Sequence, residues 1–133
     1  MQQDIQYKLS DSGSERAIIA AIVQYGPEAF VEVNDILSAS DFVLPINQAI
    51  YKTVDILSAN DQCQSFDIDT IISYAKNIGL SNIFENSKNI EYVSLLSSTN
   101  VSLKNIRLFS IQVRKYSIIR NLYSRYNDVT KYI

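Results

Sequence analysis

Along this chain, polar stretches alternate with stretches whose apolar residues recur every three or four positions, the spacing of helices that bury one face. Residues 1–13 are polar without a period and are expected to form a disordered lead. Ser14 is the expected N-cap of a helix SERAIIAAIVQY, with Ile18, Ala21, Ile22 and Tyr25 on one face. Gly26-Pro27 stops that helix and opens the next, PEAFVEVNDIL, whose stripe is Phe30, Val33 and Leu37. Ser38 to Asp41 is a polar break. Pro45 then fits a first helical turn, and Ile46, Ile50, Val54 and Leu57 form a core-facing stripe with Ala49 beside it. Phe42 stands where it can staple that first turn onto the core.

After a loop at 58–65, Asp67 caps a helix IDTIISYAKNIG with Ile68, Ile71, Ile72 and Ala75 inward and Gly79 as a left-handed stop. A polar loop containing Phe84 leads to NIEYVSLLSST (89–99), with Ile90, Val93 and Leu96 on one side. Thr99-Asn100 interrupts it. Ser102 caps a last segment that holds no glycine or proline through residue 133 and reads as one long helix. At about 100° per residue, Ile106, Phe109, Val113 and Tyr116 share a face, while Ile118, Ile119, Leu122, Tyr126, Val129 and Ile133 share another, rotated by roughly 150°. A change of face midway implies a change of partner. The first half should pack on its own globule, and the second half should leave it and need another helix or subunit. The expected organisation is a lead at 1–13, a helical globule at 14–101 and a long helix at 102–133. The fold class is all-α: a small orthogonal multi-helix globule, followed by a long helix that starts a helical hairpin.

Composition agrees. The chain has 133 residues, enough for one domain, and 47% are apolar, enough for a core. Three glycines and two prolines cannot supply the turns of an all-β fold. The single cysteine, Cys63, cannot close an internal disulfide and suits a reducing cytoplasm. The N-terminal residues lack the pattern of a signal peptide, and no apolar run is long enough to span a membrane.

Charge is unevenly placed. Residues 1–100 carry five basic and thirteen acidic side chains, whereas residues 101–133 carry seven basic side chains and only Asp128 as an acid. Arg107, Arg114 and Arg125 share a flank of the last helix, interleaved with Phe109, Tyr116, Tyr123 and Tyr126. Such a mixture can bind phosphate and stack bases. The angles of the remaining cations scatter, however, and a solvated flank or pairing with acidic surfaces of a partner explains them as well; direct DNA binding is disfavoured.

Catalytic chemistry finds no footing. Without histidine there is no imidazole base or ligand, and glycines at 13, 26 and 79 exclude a phosphate-cradling loop. Asp67 and Asp69 read as helix-start acids, and Cys63 has no basic neighbour in sequence to activate it. No catalytic, cofactor or metal residue is assigned.

Taken in order, several segments resemble the N-terminal domain of DnaB-type replicative DNA helicases. SERAIIAAIV is similar to that family's opening helix. ILSASDFVLPINQAIYKTVDIL resembles its most characteristic stretch, SFDIDTIISYAKNIGL its next block, and IEYVSLLSSTNVSLKNIRLFSIQVRKYSIIRNLY its closing block. The resemblance covers roughly residues 14–126. It departs at Gln48, where the family usually has a basic residue or histidine, at Val43, where it has an aromatic, and at FENSKN, which replaces a glycine pair; a divergent, phage-like member is expected. The resemblance implies a non-catalytic collar domain that supports assembly of a hexameric ring and receives primase or a helicase loader. ATP and magnesium would belong to a separate C-terminal motor of the parent protein. It also implies that the last helix is the first arm of an oligomerising hairpin, and that the chain is an excerpt or a shortened relative. Gln48 and Tyr51 are candidates for a partner surface. The alternatives are the helicase-contacting C-terminal domain of a primase and a small helical DNA-binding regulator.

Overall fold

Six α-helices and three short 3-10 turns, without a strand, make up the described residues of this computed structural model, 8–60 and 63–131. Helix α1 (Ser12–Tyr25) forms the centre. Its run of small and aliphatic residues leaves no outer face: Ile18, Ile19, Ala20, Ala21 and Ile22 are all fully buried. A helix apolar all round belongs inside. It begins earlier than the sequence predicts. Asp11 caps it by accepting from Ser14 N at 3.0 Å and from Ser14 Oγ at 2.8 Å, so Ser14 is a buried first-turn residue rather than the cap. The expected lead therefore ends before Asp11, and its residues 1–7 lie outside the described part of the chain.

Helix α2 (Pro27–Val33) follows after one residue, Gly26, at φ 68° and ψ −141°. It is shorter than the periodicity suggests, yet Phe30, Val33 and Leu37 are buried as the stripe predicts. Helix α3 (Pro45–Ser58) buries Ile46, Ala49, Ile50, Val54 and Leu57, and Phe42 before it is also buried. Helix α4 (Ile68–Asn77) is capped by Asp67, which accepts from Thr70 N, and Gly79 at φ 82° follows its end. Ile71 and Ala75 are buried, and Ile68 and Ile72 pack at the edge of the core. Helix α5 (Ser87–Leu96) is capped by Asn86 and turns Val93 and Leu96 inward. Ile90 is exposed, contrary to its place in the expected stripe.

Tyr25 also departs from its expected core position. It is 41% exposed, and its hydroxyl reaches across to donate to the Val101 carbonyl oxygen at 3.0 Å. Gln24 beside it donates to the carbonyls of Leu96 and Thr99, so the end of α1 gathers the chain between α5 and α6. Ser102 caps a 3-10 turn, Leu103–Asn105, that leads into helix α6 (Ile106–Thr130). This helix is unbroken over 25 residues and does not fold back.

Candidate functional site

Helix α6 meets the globule along a line of small and branched residues. Ile106, Ser110, Val113 and Ser117 are buried, at i, i+4, i+7 and i+11. Phe109 and Tyr116, assigned to this face from sequence, lie half-buried on its edge. Two serines are the reason for the rotation. Ser110 returns its hydroxyl to the Ile106 carbonyl at 2.9 Å, and Ser117 donates to Asp41 Oδ1 at 2.7 Å. Small side chains let α6 approach α1 closely, while their hydroxyls remain satisfied.

Charged groups then pin the helix where it departs. Asp41 is buried and accepts from Ser117 Oγ and from Arg114 Nη1 at 2.8 Å, with Ser38 N on its other oxygen at 2.8 Å. Arg120 donates to two backbone carbonyls, those of Leu9 and Asp41, each at 2.8 Å. Partial burial pulls the Arg120 pKa down from its usual value, against the opposing pull of Glu15 and Asp41. Glu15 is buried in α1 and accepts from Val43 N at 3.0 Å. Burial raises its pKa; the hydrogen bond from Val43, the nearby Asn47 amide and Arg120 only partly offset this. Asn47 Oδ1 accepts from Tyr92 Oη at 2.7 Å, while its buried Nδ2 has no hydrogen-bond partner among the described residues. Burial pushes the Tyr92 hydroxyl up to about 12.

The candidate basic flank is thus mostly occupied. Arg107 makes a two-pronged pair with Asp35, 3.1 and 3.0 Å, which holds the Asp35 carboxyl below the usual carboxylate range. Arg114 pairs with Asp41. Arg125 is exposed and forms no ion pair with the described residues. Arg120, passed over in the sequence reading because it lies off that flank, is the cation most deeply built into the junction. Only its partners, 79 and 111 residues away, reveal this.

The candidate partner-surface pair separates. Tyr51 is fully buried, stacked at tilted angles between Phe30 and Phe42, and its hydroxyl donates to the Leu37 carbonyl at 3.0 Å. It is a core residue: two rings and a carbonyl claim both its face and its polar end. Gln48 is half-buried and donates to the Phe42 carbonyl at 2.6 Å. It lines a cleft of about 260 Å³ between the 40–48 segment and α6, together with Ser40, Val43, Asn121, Tyr123 and Ser124.

The candidate oligomer face lies bare. Ile118 is 44% exposed, Leu122 60%, Tyr126 67% and Val129 60%, with Ile119 half-buried; Ile133 lies outside the described residues. Isolated exposed apolar residues are ordinary; here they stand in a row along one helix face. Leu108 (66%) and Ile111 (53%) are also bare, although they belong to the half of α6 that sits on the globule. They lie outside both apolar faces expected from the sequence, because here the helix is apolar on two sides at once.

Among the described residues no helix is long and apolar enough to cross a membrane, and no group of histidine, cysteine and acidic side chains is placed to hold a metal.

Comparison with known proteins bears on this arrangement. The crystal structure of the N-terminal domain of DnaB helicase from Mycobacterium tuberculosis superposes with a TM-score of 0.78 at 20% identity, covering 92% of this chain and 84% of that one. At that identity the likeness is one of fold. No curated protein sequence matches the chain. Among protein families, the DnaB-like helicase N terminal domain matches residues 8–115, from the Asp11-capped start of α1 into the globule-facing half of α6. The chain therefore belongs to the DnaB-like helicase N-terminal domain family, a non-catalytic helical domain.

Proposed function

We propose that this domain is the assembly collar of a replicative DNA helicase: it associates with its own kind to support a hexameric ring and offers a surface to primase or a helicase loader. The ATP- and magnesium-dependent motor belongs to another domain of the parent enzyme, working in the cytoplasm. The observation that carries this reading is the bare apolar face of α6, from Ile118 to Val129, on a member of this family. A rod that is pinned at its base by Asp41 and Arg120 and apolar at its far end is suited to hold a second helix at a fixed angle. The cleft beside Gln48 is the candidate seat for primase or loader. A nucleic-acid role is weakened, since Arg107 and Arg114 are engaged within the chain.

Light scattering across a concentration series tests the reading. The parent should be a dimer or larger, and Leu122→Asp with Tyr126→Asp should yield a folded monomer. Both positions are exposed, so circular dichroism should be unchanged. An unchanged oligomer in the double variant would overturn it.

A further inference from the structure

Past Ser117, the face of α6 that the globule covers keeps its direction and changes its chemistry. With Ile106 at zero on a helical wheel, the buried Ile106, Ser110, Val113 and Ser117 fall within about 40° of that origin. Arg120, Asn121, Ser124 and Asn127 continue the line within about 60° of it, and no apolar residue stands among them. This polar face is the reverse of the one that carries Ile118, Leu122, Tyr126 and Val129. It forms one wall of the cleft of about 260 Å³, with Ser40, Val43 and Gln48 on the other side. From Ser117 to Asn127 the wall is about 15 Å long, the span of four or five extended residues. Its hydrogen-bonding groups are unspent. The side chains of Asn121, Ser124 and Asn127 have no hydrogen-bond partner among the described residues. Gln48 gives its Nε2 to the Phe42 carbonyl, and its Oε1 accepts from none of the described residues.

Resting on the reading of this cleft as a partner seat, we propose that its occupant is an extended segment of a partner protein, hydrogen-bonded through its backbone to Gln48, Asn121, Ser124 and Asn127, with an aspartate or glutamate side chain on Arg120. Amides and hydroxyls match the N–H and C=O groups that an extended backbone presents in alternation. A cleft of this volume holds a few residues of such a chain and not a helix, which is about 10–12 Å across. Charge selects the acid. Arg120 is the one charged side chain that lines the cleft, and it spends one N–H of each Nη on the Leu9 and Asp41 carbonyls. A guanidinium has five N–H groups, so about three remain. No carboxylate competes for them from the lining: Asp41 has both oxygens occupied, and Glu15 is buried against Val43 N. Charge also sets direction. The next acid along this face, Asp128, is exposed about 12 Å beyond Arg120, so the segment carries its acid at the globule end. That same acid, and the lack of a second lining cation, disfavour a chain of phosphates.

Binding to synthetic peptide pools tests this. The probes are immobilised hexapeptides with random neutral residues and a fixed aspartate, asparagine or lysine, acetylated and amidated so that the side chain is the sole source of a carboxylate. The parent should bind the aspartate pool about tenfold more tightly than the asparagine pool and the lysine pool least. Arg120→Gln should abolish the preference for aspartate. Ser124→Trp, at an exposed position, should fill the cleft and remove binding with circular dichroism unchanged, which keeps the test intact if Arg120→Gln unfolds. Equal binding of the aspartate and asparagine pools, preference for lysine, no binding to any pool, or binding that survives Ser124→Trp would each overturn the proposal. So would a labelled oligothymidylate that binds in place of the peptides and is lost in Ser124→Trp, which would make the cleft a nucleic-acid seat. Light scattering separates this from the assembly reading. An oligomeric parent that binds no pool loses the peptide seat alone, whereas a monomeric parent that binds the aspartate pool through the cleft keeps the seat and loses the collar.

Discussion

Glu15 carries a carboxyl group into the space between α1 and the 42–44 segment, where only backbone amides, an amide side chain and the Arg120 cation can answer its charge. Desolvation outweighs them, and its pKa lies above that of a free glutamate. The sign of the consequence follows from linkage. A folded state that holds the proton more tightly than the unfolded chain gains stability from Glu15 below its unfolded pKa and loses it as pH rises through the folded value. We expect Glu15→Gln, which keeps the acceptor for Val43 N, to gain relative stability over the parent between about pH 4.5 and neutrality. Urea unfolding across that range reads the difference, and a relative loss with rising pH would show that Arg120 and the amides dominate instead. Asp41, equally buried, differs in kind: three donors converge on it, from Arg114, Ser117 and Ser38. Arg114 itself is 45% exposed, so water screens that pair and its own contribution is about 1 kcal/mol or less. The hydrogen bonds from Ser117 and the Ser38 backbone hold Asp41 more firmly than the ion pair does.

At the scale of the element, two glycines end helices for different reasons. Gly26 joins α1 to α2 at φ 68° and ψ −141°, a region almost closed to side chains, and a Cβ there would meet the backbone of Ser65 at 3.6 Å. Gly79 ends α4 at φ 82° with nothing within 4 Å of an added Cβ. Gly26→Ala should therefore cost about 2–3 kcal/mol, and Gly79→Ala about 1 kcal/mol, in chemical unfolding. Equal costs would mean that the α1–α2 junction relaxes. Both glycines were legible as stops, as were the Asp67 cap and the Ile46–Leu57 stripe, because each of these signals is complete within one turn or one helix. Tyr25, Tyr51 and Ile90 were not. An apolar residue at the margin of a stripe goes in or out according to what crosses it, and here the Val101 carbonyl, the Leu37 carbonyl and the open side of α5 decide. The same limit hid the helix junction: Arg107, Arg114 and Arg120 read as surface cations until their acceptors, distant in sequence, came beside them. Leu108 and Ile111 were illegible for a different reason: a helix on a globule ordinarily has one apolar face, and this one has two.

On the scale of the whole molecule, the globule and the projecting end of α6 meet different demands. The core closes without the far end: its last buried apolar residue is Val113, and the final tie that reaches back to the start of α1 is Arg120. Beyond Asn121, Leu122, Tyr126 and Val129 stay mostly in water and only Tyr123, 39% exposed at the cleft, is partly covered, so these residues contribute little hydrophobic stabilisation to an isolated copy. The charge split has the same geography. The basic last segment is drawn onto an acidic globule by Asp35 and Asp41, while Arg125 and Lys131 lie past the reach of either. A variant ending at Asn121 should consequently melt, at a dilution where the parent is monomeric, within about 5 °C of it, because the lost contacts amount to about 1 kcal/mol or less. At high protein concentration the two should diverge, since only the full helix keeps the apolar face that the proposed self-association buries, and that burial adds stability by mass action. Calorimetry over a concentration series separates these regimes. A large drop at dilution would mean that residues 122–131 are part of the globule's own closure, with the cleft beside Gln48 as its hinge, and the division of the chain into a self-sufficient head and an assembling rod would fall.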